Sequence, residues 1–298
     1  MSRTTARGQA APEGEKATIL AISSHVVRGA VGNRGVVFAL ESLGHRVWSV
    51  PTIVLPWHPG HGAATKIIPE DDAFQALCAD IAASPFAAEI GAVVTGYFAT
   101  AAQVHAAADL IIALRKANPK LTYCLDPVVG DEGRLYRPPE VLAAISERLL
   151  PLADIATPNR FELEFLTELT LSENAHLVEA ARTLGPAMVL VTSAFGLLAG
   201  SIANLLVTEK SVDLAEHRLI ENGPNGGGDL TAALFLARLM EGRSPEAALR
   251  LATASVFEIL ARTAKRGLNE LSLQTDATSL QTPFAMVQMR KLASAKKR

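Results

Sequence analysis

Short apolar runs that end in small or polar residues alternate along this chain with helical segments of ten to twenty residues, at least five times over. The runs ATILAISS (17–24), RVWSVPTIVL (46–55), IGAVVTGYF (90–98), LTYCLDPVVG (121–130), DIATPN (154–159) and AMVLVTSA (187–194) read as strands, the second broken by Pro51. Helical spacing fills 32–45, 69–84, 100–119, 138–153 and 160–169, then 229–241 and 245–263, while 196–220 reads as two or three short strands. Strands that alternate with helices make βαβ units, and βαβ units make a parallel sheet with helices on both faces. The expectation is therefore an α/β chain with one three-layer α/β/α sandwich over residues 17–285. A disordered tail over 1–16 and a basic tail over 286–298 flank it. In such sheets ligands bind where strands run out into helices. That rule selects the loops at 23–33, 56–62, 126–137, 157–162, 192–196 and 222–229.

Composition narrows the partners. The formal net charge is −2, from 28 Lys and Arg against 30 Asp and Glu, so no basic field for a nucleic-acid backbone is expected. No apolar run reaches the ~18–20 residues of a membrane helix, and the N-terminus lacks the apolar core of a secretory signal. Cys78 and Cys124 lie in apolar surroundings without metal or redox spacing. They read as buried free thiols of a reducing, cytoplasmic compartment.

Five stretches could carry chemistry, one of them SSHVVRGAVGN (23–33), where Gly29 and Gly32 let a ligand or lid approach the backbone. In NGGGDLTAALF (225–235), Gly226, Gly227 and Gly228 run into Asp229 at the start of a helix. Glycine-rich backbone at a helix N-terminus gathers N–H donors for an anion, although Asp229 could equally be a helix cap. No GxxxxGK[ST] string occurs, and the glycines lie too late for a first-strand dinucleotide fingerprint. Asp126 in DPVVGDEGRLY closes a buried strand, where it can end a turn or meet Mg²⁺. In TPNRFELE, Asn159 and Glu162 have the spacing of a capping box, and Glu162 could instead orient metal-bound water beside phosphates. The loop PWHPGHG (56–62), with His58 and His61, reads as a polar cover over a substrate pocket.

Taken in order, SSHVVRGAVGN (23–33), VWSVPTIVLPWHPGHG (47–62), TGYF (95–98), DPVVGD (126–131), ATPNRFELEFL (156–166) and GGGDLTAALFLARL (226–239) resemble the pyridoxal kinases of the ribokinase superfamily. The similarity runs from about residue 17 to residue 265. It implies a ribokinase-like fold and transfer of phosphate from ATP to the 5′-hydroxymethyl of pyridoxal. It also implies Mg²⁺, often a monovalent cation such as K⁺, and usually a homodimer. By position, Asp229 matches the catalytic base, and Gly226, Gly227 and Gly228 match the anion hole. Asp126 and Glu162 match the acidic residues near metal and nucleotide phosphates, with Thr157, Thr192 and Ser193 on the nucleotide side. Ser24, Thr52, Ile53 and His58 fall on the substrate side.

The chain also departs from the family pattern. GGGD stands where GTGD or GVGD is usual, and the substrate loop carries Val54, Pro56 and Pro59 in place of a polar run. Those changes spare the phosphoryl-transfer residues and bear on the substrate. A kinase of the same superfamily for hydroxymethylpyrimidine or a sugar is the alternative, and a ligand-binding homologue without catalysis is a second.

Overall fold

The computed structural model describes residues 16–131, 134–221 and 223–294. The tail expected over residues 1–16 lies outside the described residues except for Lys16, which is held by Glu241 and the Leu43 carbonyl, and Asn222 of the glycine loop lies outside them too. Among the described residues eleven strands and nine α-helices follow in order. The first half contains β1 (Thr18–Val26), α1 (Asn33–Ser42), β2 (Val47–Leu55), α2 (Asp71–Ala83), β3 (Ile90–Thr95), α3 (Ala101–Ala117) and β4 (Thr122–Leu125). A hairpin of β5 (Gly130–Asp131) and β6 (Arg134–Leu135) leads to α4 (Pro139–Ala144), β7 (Ile155–Ala156), α5 (Arg160–Thr167) and α6 (Asn174–Thr183). The last part holds β8 (Met188–Phe195), β9 (Ser201–Thr208), β10 (Ser211–Arg218), α7 (Gly227–Met240), α8 (Pro245–Lys265), α9 (Ala277–Gln281) and β11 (Gln288–Ser294).

Nine strands form one sheet in the order β11-β10-β9-β8-β7-β4-β3-β1-β2. Pairing is parallel from β2 through β8 and antiparallel from β8 to β11. Alternation along each strand sorts side chains between two layers. Ile19 and Ala21 of β1 pack with α1, α7 and α8, whereas Leu20 and Ile22 pack with α2, α3 and α4. On that second face Val189 and Val191 of β8 continue the layer against α5 and α6. The expected three-layer, mostly parallel sandwich is what forms. Cys78 and Cys124 are buried free thiols within it, and burial pushes the Cys78 thiol up to about 11.

Two expectations change. Pro51 does not break β2, because β2 is the outermost strand and a missing N–H on its unpaired side costs no ladder bond. Residues 288–294, read from sequence as part of a basic tail, form the opposite edge strand along β10. Arg290 Nε lies 3.5 Å from Glu216 Oε2 there. Charges on an edge strand discourage further pairing and also hide the strand from a hydrophobic pattern.

β1 feeds α1 on one face, while β3 feeds α3 on the other. The crevice between the carboxyl ends of β1 and β3 is thus a topological switch point. Ser23 Oγ bridges it by accepting the Tyr97 N–H at 3.0 Å. Among the described residues no helix is long and apolar enough to cross a membrane.

Candidate active site

The glycine run opens α7, and its three members do different work. Gly226 is the N-cap residue at φ 100°, a left-handed conformation that favours glycine. A Cβ there would lie 2.9 Å from the Ala30 carbonyl oxygen. A Cβ on Gly227 would make ordinary contacts, and one on Gly228 would meet nothing within 4 Å. The chain's packing therefore requires the first glycine, while open space lies over the third. No side chain caps α7, so its first-turn N–H groups point outward with the positive end of the helix dipole behind them.

Asp229 does not cap its own helix. Its Oδ2 accepts the N–H of Gly32 at 2.9 Å, from a residue 197 positions earlier. Gly32 is the N-cap of α1 at φ 56°, where a Cβ would collide with Ser24 Oγ and the Ser24 carbonyl. Gly32 in SSHVVRGAVGN thus fits against Ser24, and its N–H holds the Asp229 carboxylate. Burial pushes this carboxyl above the ordinary aspartate value of 3.8, and the Gly32 N–H pulls the other way.

Asp126 follows β4 and is 7% exposed. Burial pushes its carboxyl well above 3.8, and the charges of Glu162 and Asp229 push it further, against the pull of the Thr157 hydroxyl. Among the described residues that hydroxyl, itself buried, has no hydrogen-bond partner of ordinary geometry. Asp126, Asp229, Ser23, Asn33, Thr95 and Gly96 line one cleft at the switch point.

Glu162 satisfies both sequence readings at once. Asn159 Oδ1 accepts the Glu162 N–H and Glu162 Oε2 accepts the Asn159 N–H, each at 2.8 Å, completing a capping box. Its Oε1 accepts the Val129 N–H at 2.8 Å and the Gly130 N–H at 3.4 Å. Val128 between them and Asp126 has φ 45°, a strained conformation for a β-branched residue that persists only where neighbours enforce it. Glu162 is that enforcement. Burial pushes its carboxyl up to about 7, against the three N–H groups it accepts.

Thr192 and Ser193 sit at an irregularity in β8, with Ser193 at φ 54°. The Thr192 N–H donates to the Pro158 carbonyl at 2.9 Å, which brings this bend beside Asn159 and Glu162. On the other side, Ser24 lies against Gly32. The Thr52 hydroxyl donates to the Tyr97 carbonyl at 2.6 Å, so its proton is committed. Ile53 is 1% exposed, packed with Val26, Val31 and Leu55. His58 Nδ1 accepts the Gly60 N–H at 3.1 Å and faces Asn225 Nδ2 at 3.1 Å, next to Gly226. Burial lowers its pKa, with Glu270 opposing and His61 adding to the shift. His61 Nε2 lies 2.7 Å from Glu270 Oε1, which also meets Arg28 at 3.1 Å.

The acidic residues suit a hydrated cation. Among the described residues no three His, Cys, Asp or Glu side chains could enclose a metal. Mg²⁺ keeps several waters and takes one or two carboxylates plus substrate phosphates. Asp126 and Glu162, whose negative charges oppose each other in a buried place, fit that demand. Sequence reasoning missed Gly32 as a donor to Asp229, and it missed Tyr97, Arg137 and Glu270. TGYF and SSHVVRGAVGN carried local signals for Tyr97 and Gly32, while Arg137 and Glu270 had none.

Comparisons with known proteins give the family of this chain. The family described as phosphomethylpyrimidine kinase matches residues 66–274. Pyridoxal kinase PdxY of Rubrobacter xylanophilus is 36% identical over 289 residues, covering 94% of this chain and 99% of the relative. This chain belongs to the pyridoxal kinases, within the ribokinase superfamily. A second pyridoxal kinase PdxY, from Deinococcus radiodurans, is 36% identical and covers 86% of this chain and 90% of its own length. Pyridoxal kinase of Leishmania donovani, solved with ADP and pyridoxamine, superposes with a TM-score of 0.86 at 28% identity. The match covers 93% of this chain and 99% of that one. Within the pyridoxal kinases, then, GGGD keeps the backbone donors of the glycine loop.

Proposed function

We propose that this chain transfers the γ-phosphoryl group of ATP to the 5′-hydroxymethyl of pyridoxal, a vitamin B6 salvage reaction. The observation that carries the reading is Asp229. It stands in the first turn of an uncapped helix, yet its carboxylate is held by Gly32 rather than by its own helix. A capping aspartate would spend its oxygens on N–H groups that an anion needs. Here the first-turn N–H groups remain available, and among the described residues only Oδ2 of the carboxylate is engaged, by Gly32.

The residues then divide the work. Asp229 takes the proton from the hydroxymethyl oxygen as that oxygen attacks phosphorus. Its raised pKa brings it closer to the proton it must accept. The N–H groups of Gly226, Gly227 and Gly228 stabilise charge on the phosphoryl oxygens. Asp126 and Glu162 would hold Mg²⁺, which neutralises nucleotide phosphate charge when bound. Thr157, Thr192 and Ser193 border the nucleotide side. Ser24, Thr52, Ile53 and His58 wall the substrate side, with a monovalent cation such as K⁺ as an accessory. A homodimer in the cytoplasm completes the proposal, and light scattering during size exclusion tests the dimer.

ADP release with pyridoxal, pyridoxine, hydroxymethylpyrimidine and ribose, each with Mg²⁺ and ATP, tests the function. Pyridoxal is expected to give the highest kcat/KM. A clear preference for hydroxymethylpyrimidine or ribose would move the assignment to the alternative kinases. Ligand binding without ADP release would move it to a silent homologue.

A further inference from the structure

Arg137 follows the β5–β6 hairpin and is 6% exposed. Its guanidinium carbon lies 3.0 Å from the centre of the Tyr97 ring, and Nη2 makes a long 3.4 Å contact to the Val128 carbonyl. Nε and Nη1 are buried without a hydrogen-bond partner among the described residues. Stacking on an aromatic face offsets part of the cost of burying a cation, but unmade N–H donors in a dry place remain expensive. Burial pulls this group down to about 10, with Tyr97 and Glu162 opposing the shift, so it is charged at neutral pH.

A planar guanidinium fork matches carboxylate or phosphate oxygens. Glu162 is the carboxylate within electrostatic reach, and it already accepts from Val129, Gly130 and Asn159. Among the described residues no side chain meets Nε or Nη1 of Arg137, and the geometry points to an anion from outside the chain. Its place is bracketed on both sides. Tyr97 stands at the substrate edge, tied to Ser23 and Thr52. Val128 stands two residues beyond Asp126, under the clamp of Glu162. The anion that passes between a nucleotide and an alcohol at such a place is the phosphoryl group.

We propose that Arg137 is a phosphoryl-binding residue, whose guanidinium leaves the Tyr97 ring to donate to oxygens of the group in transfer. This rests on the kinase reading above, while Arg137 stands outside the motifs that carry the family resemblance. In the step, the hydroxymethyl oxygen forms its bond to the γ-phosphorus as the bond from that phosphorus to the bridging oxygen breaks. The hydroxyl proton passes to Asp229, and ADP leaves with the bonding pair. Arg137 keeps its protons throughout.

The test compares wild type, Arg137→Met and Arg137→Lys for binding of ADP and of the non-hydrolysable triphosphate AMP-PNP, each with Mg²⁺, by calorimetry. In Arg137→Met, AMP-PNP affinity is expected to fall about tenfold with ADP affinity within about twofold, and kcat to fall about 100-fold. Arg137→Lys restores charge without the fork and is expected to recover part of kcat. Equal losses for ADP and AMP-PNP, or a kcat within about threefold of wild type, overturn the proposal. If Arg137→Met does not fold, wild-type crystals with AMP-PNP and Mg²⁺ decide. A guanidinium nitrogen within about 2.7–3.2 Å of a γ-phosphoryl oxygen supports the assignment, and a guanidinium still stacked on Tyr97 ends it. A wild-type protein that binds AMP-PNP but phosphorylates no alcohol defeats the kinase reading, while the two nucleotide affinities still judge Arg137.

Discussion

At the α7 end of the cleft the site is made of backbone: three glycines, an uncapped helix turn and one aspartate held by another glycine. At the 56–62 end it is made of side chains from four separate segments. His61 and Arg28 share Glu270, and His58 meets Asn225. Backbone donors cannot drift without moving the helix, which suits a charge whose position is fixed by chemistry. Side-chain pairs at a partly exposed rim are weaker and replaceable, which suits a wall that must fit one alcohol among many. The departures from the family pattern at Val54, Pro56 and Pro59 fall at the second end, next to the side-chain pairs.

Asp229→Asn should produce the largest effect. Without a base kcat is expected to fall about 10²–10⁴-fold, while the amide oxygen still accepts from Gly32 and the melting temperature holds. A kcat near wild type in the ADP-release assay would end the assignment. In the wild type, activity should fade as pH drops through the raised Asp229 value, so the acid limb of kcat lies above 3.8.

The glycines separate packing from chemistry. Gly226→Ala must force φ 100° and a 2.9 Å approach to Ala30, with an expected stability loss of about 1–3 kcal/mol in denaturant titration. Gly228→Ala meets no protein atom within 4 Å, so stability should change by less than about 1 kcal/mol. Its turnover should still drop if a phosphoryl group occupies that space. Matching stability losses in the two variants would deny the division of labour.

Glu162 links the site to stability. Its folded value of about 7 lies above the ordinary 4.5, so between those values the folded state binds more protons than the unfolded one. Its contribution therefore favours folding at low pH and is lost as pH rises from 4.5 towards about 7. Melting temperatures across that window should show the trend in EDTA, and Mg²⁺ with ADP should flatten it. An identical slope in Glu162→Gln would assign the trend to other groups.

The smallest effect belongs to the rim. Glu270→Gln weakens contacts to His61 and Arg28, and the KM for pyridoxal is expected to rise about two- to fivefold with kcat nearly unchanged. A large loss of kcat would mean that the two ends are not independent.

Much of this was readable in advance, because period and punctuation are local. Strand–helix alternation located the sheet, and Asp126, Glu162 and Asp229 were picked out by their places at strand and helix ends. What the sequence left open was what each carboxylate touches. Whether Asp229 capped its helix turned on Gly32, nearly two hundred residues away. For Glu162, the capping box was visible, but its hold on Val129 was not, since that depends on how α5 abuts the loop after β4. α6, α9 and β11 went unread: α6 starts without a side-chain cap, α9 has five residues, and β11 is a charged edge held mainly by main-chain pairing. Arg137 and Glu270 carry no motif and matter only through neighbours brought by the fold.

The Gly32–Asp229 hydrogen bond has a consequence for a chain emerging from a ribosome. β1 and α1 are made early, but the carboxylate they hold arrives only with α7, after most of the sheet has been synthesised. Closing so long a loop is slow and depends on what lies between. A nascent fragment that stops before α7 therefore holds Gly32 without the carboxylate it binds, and the two meet only after α7 has been made.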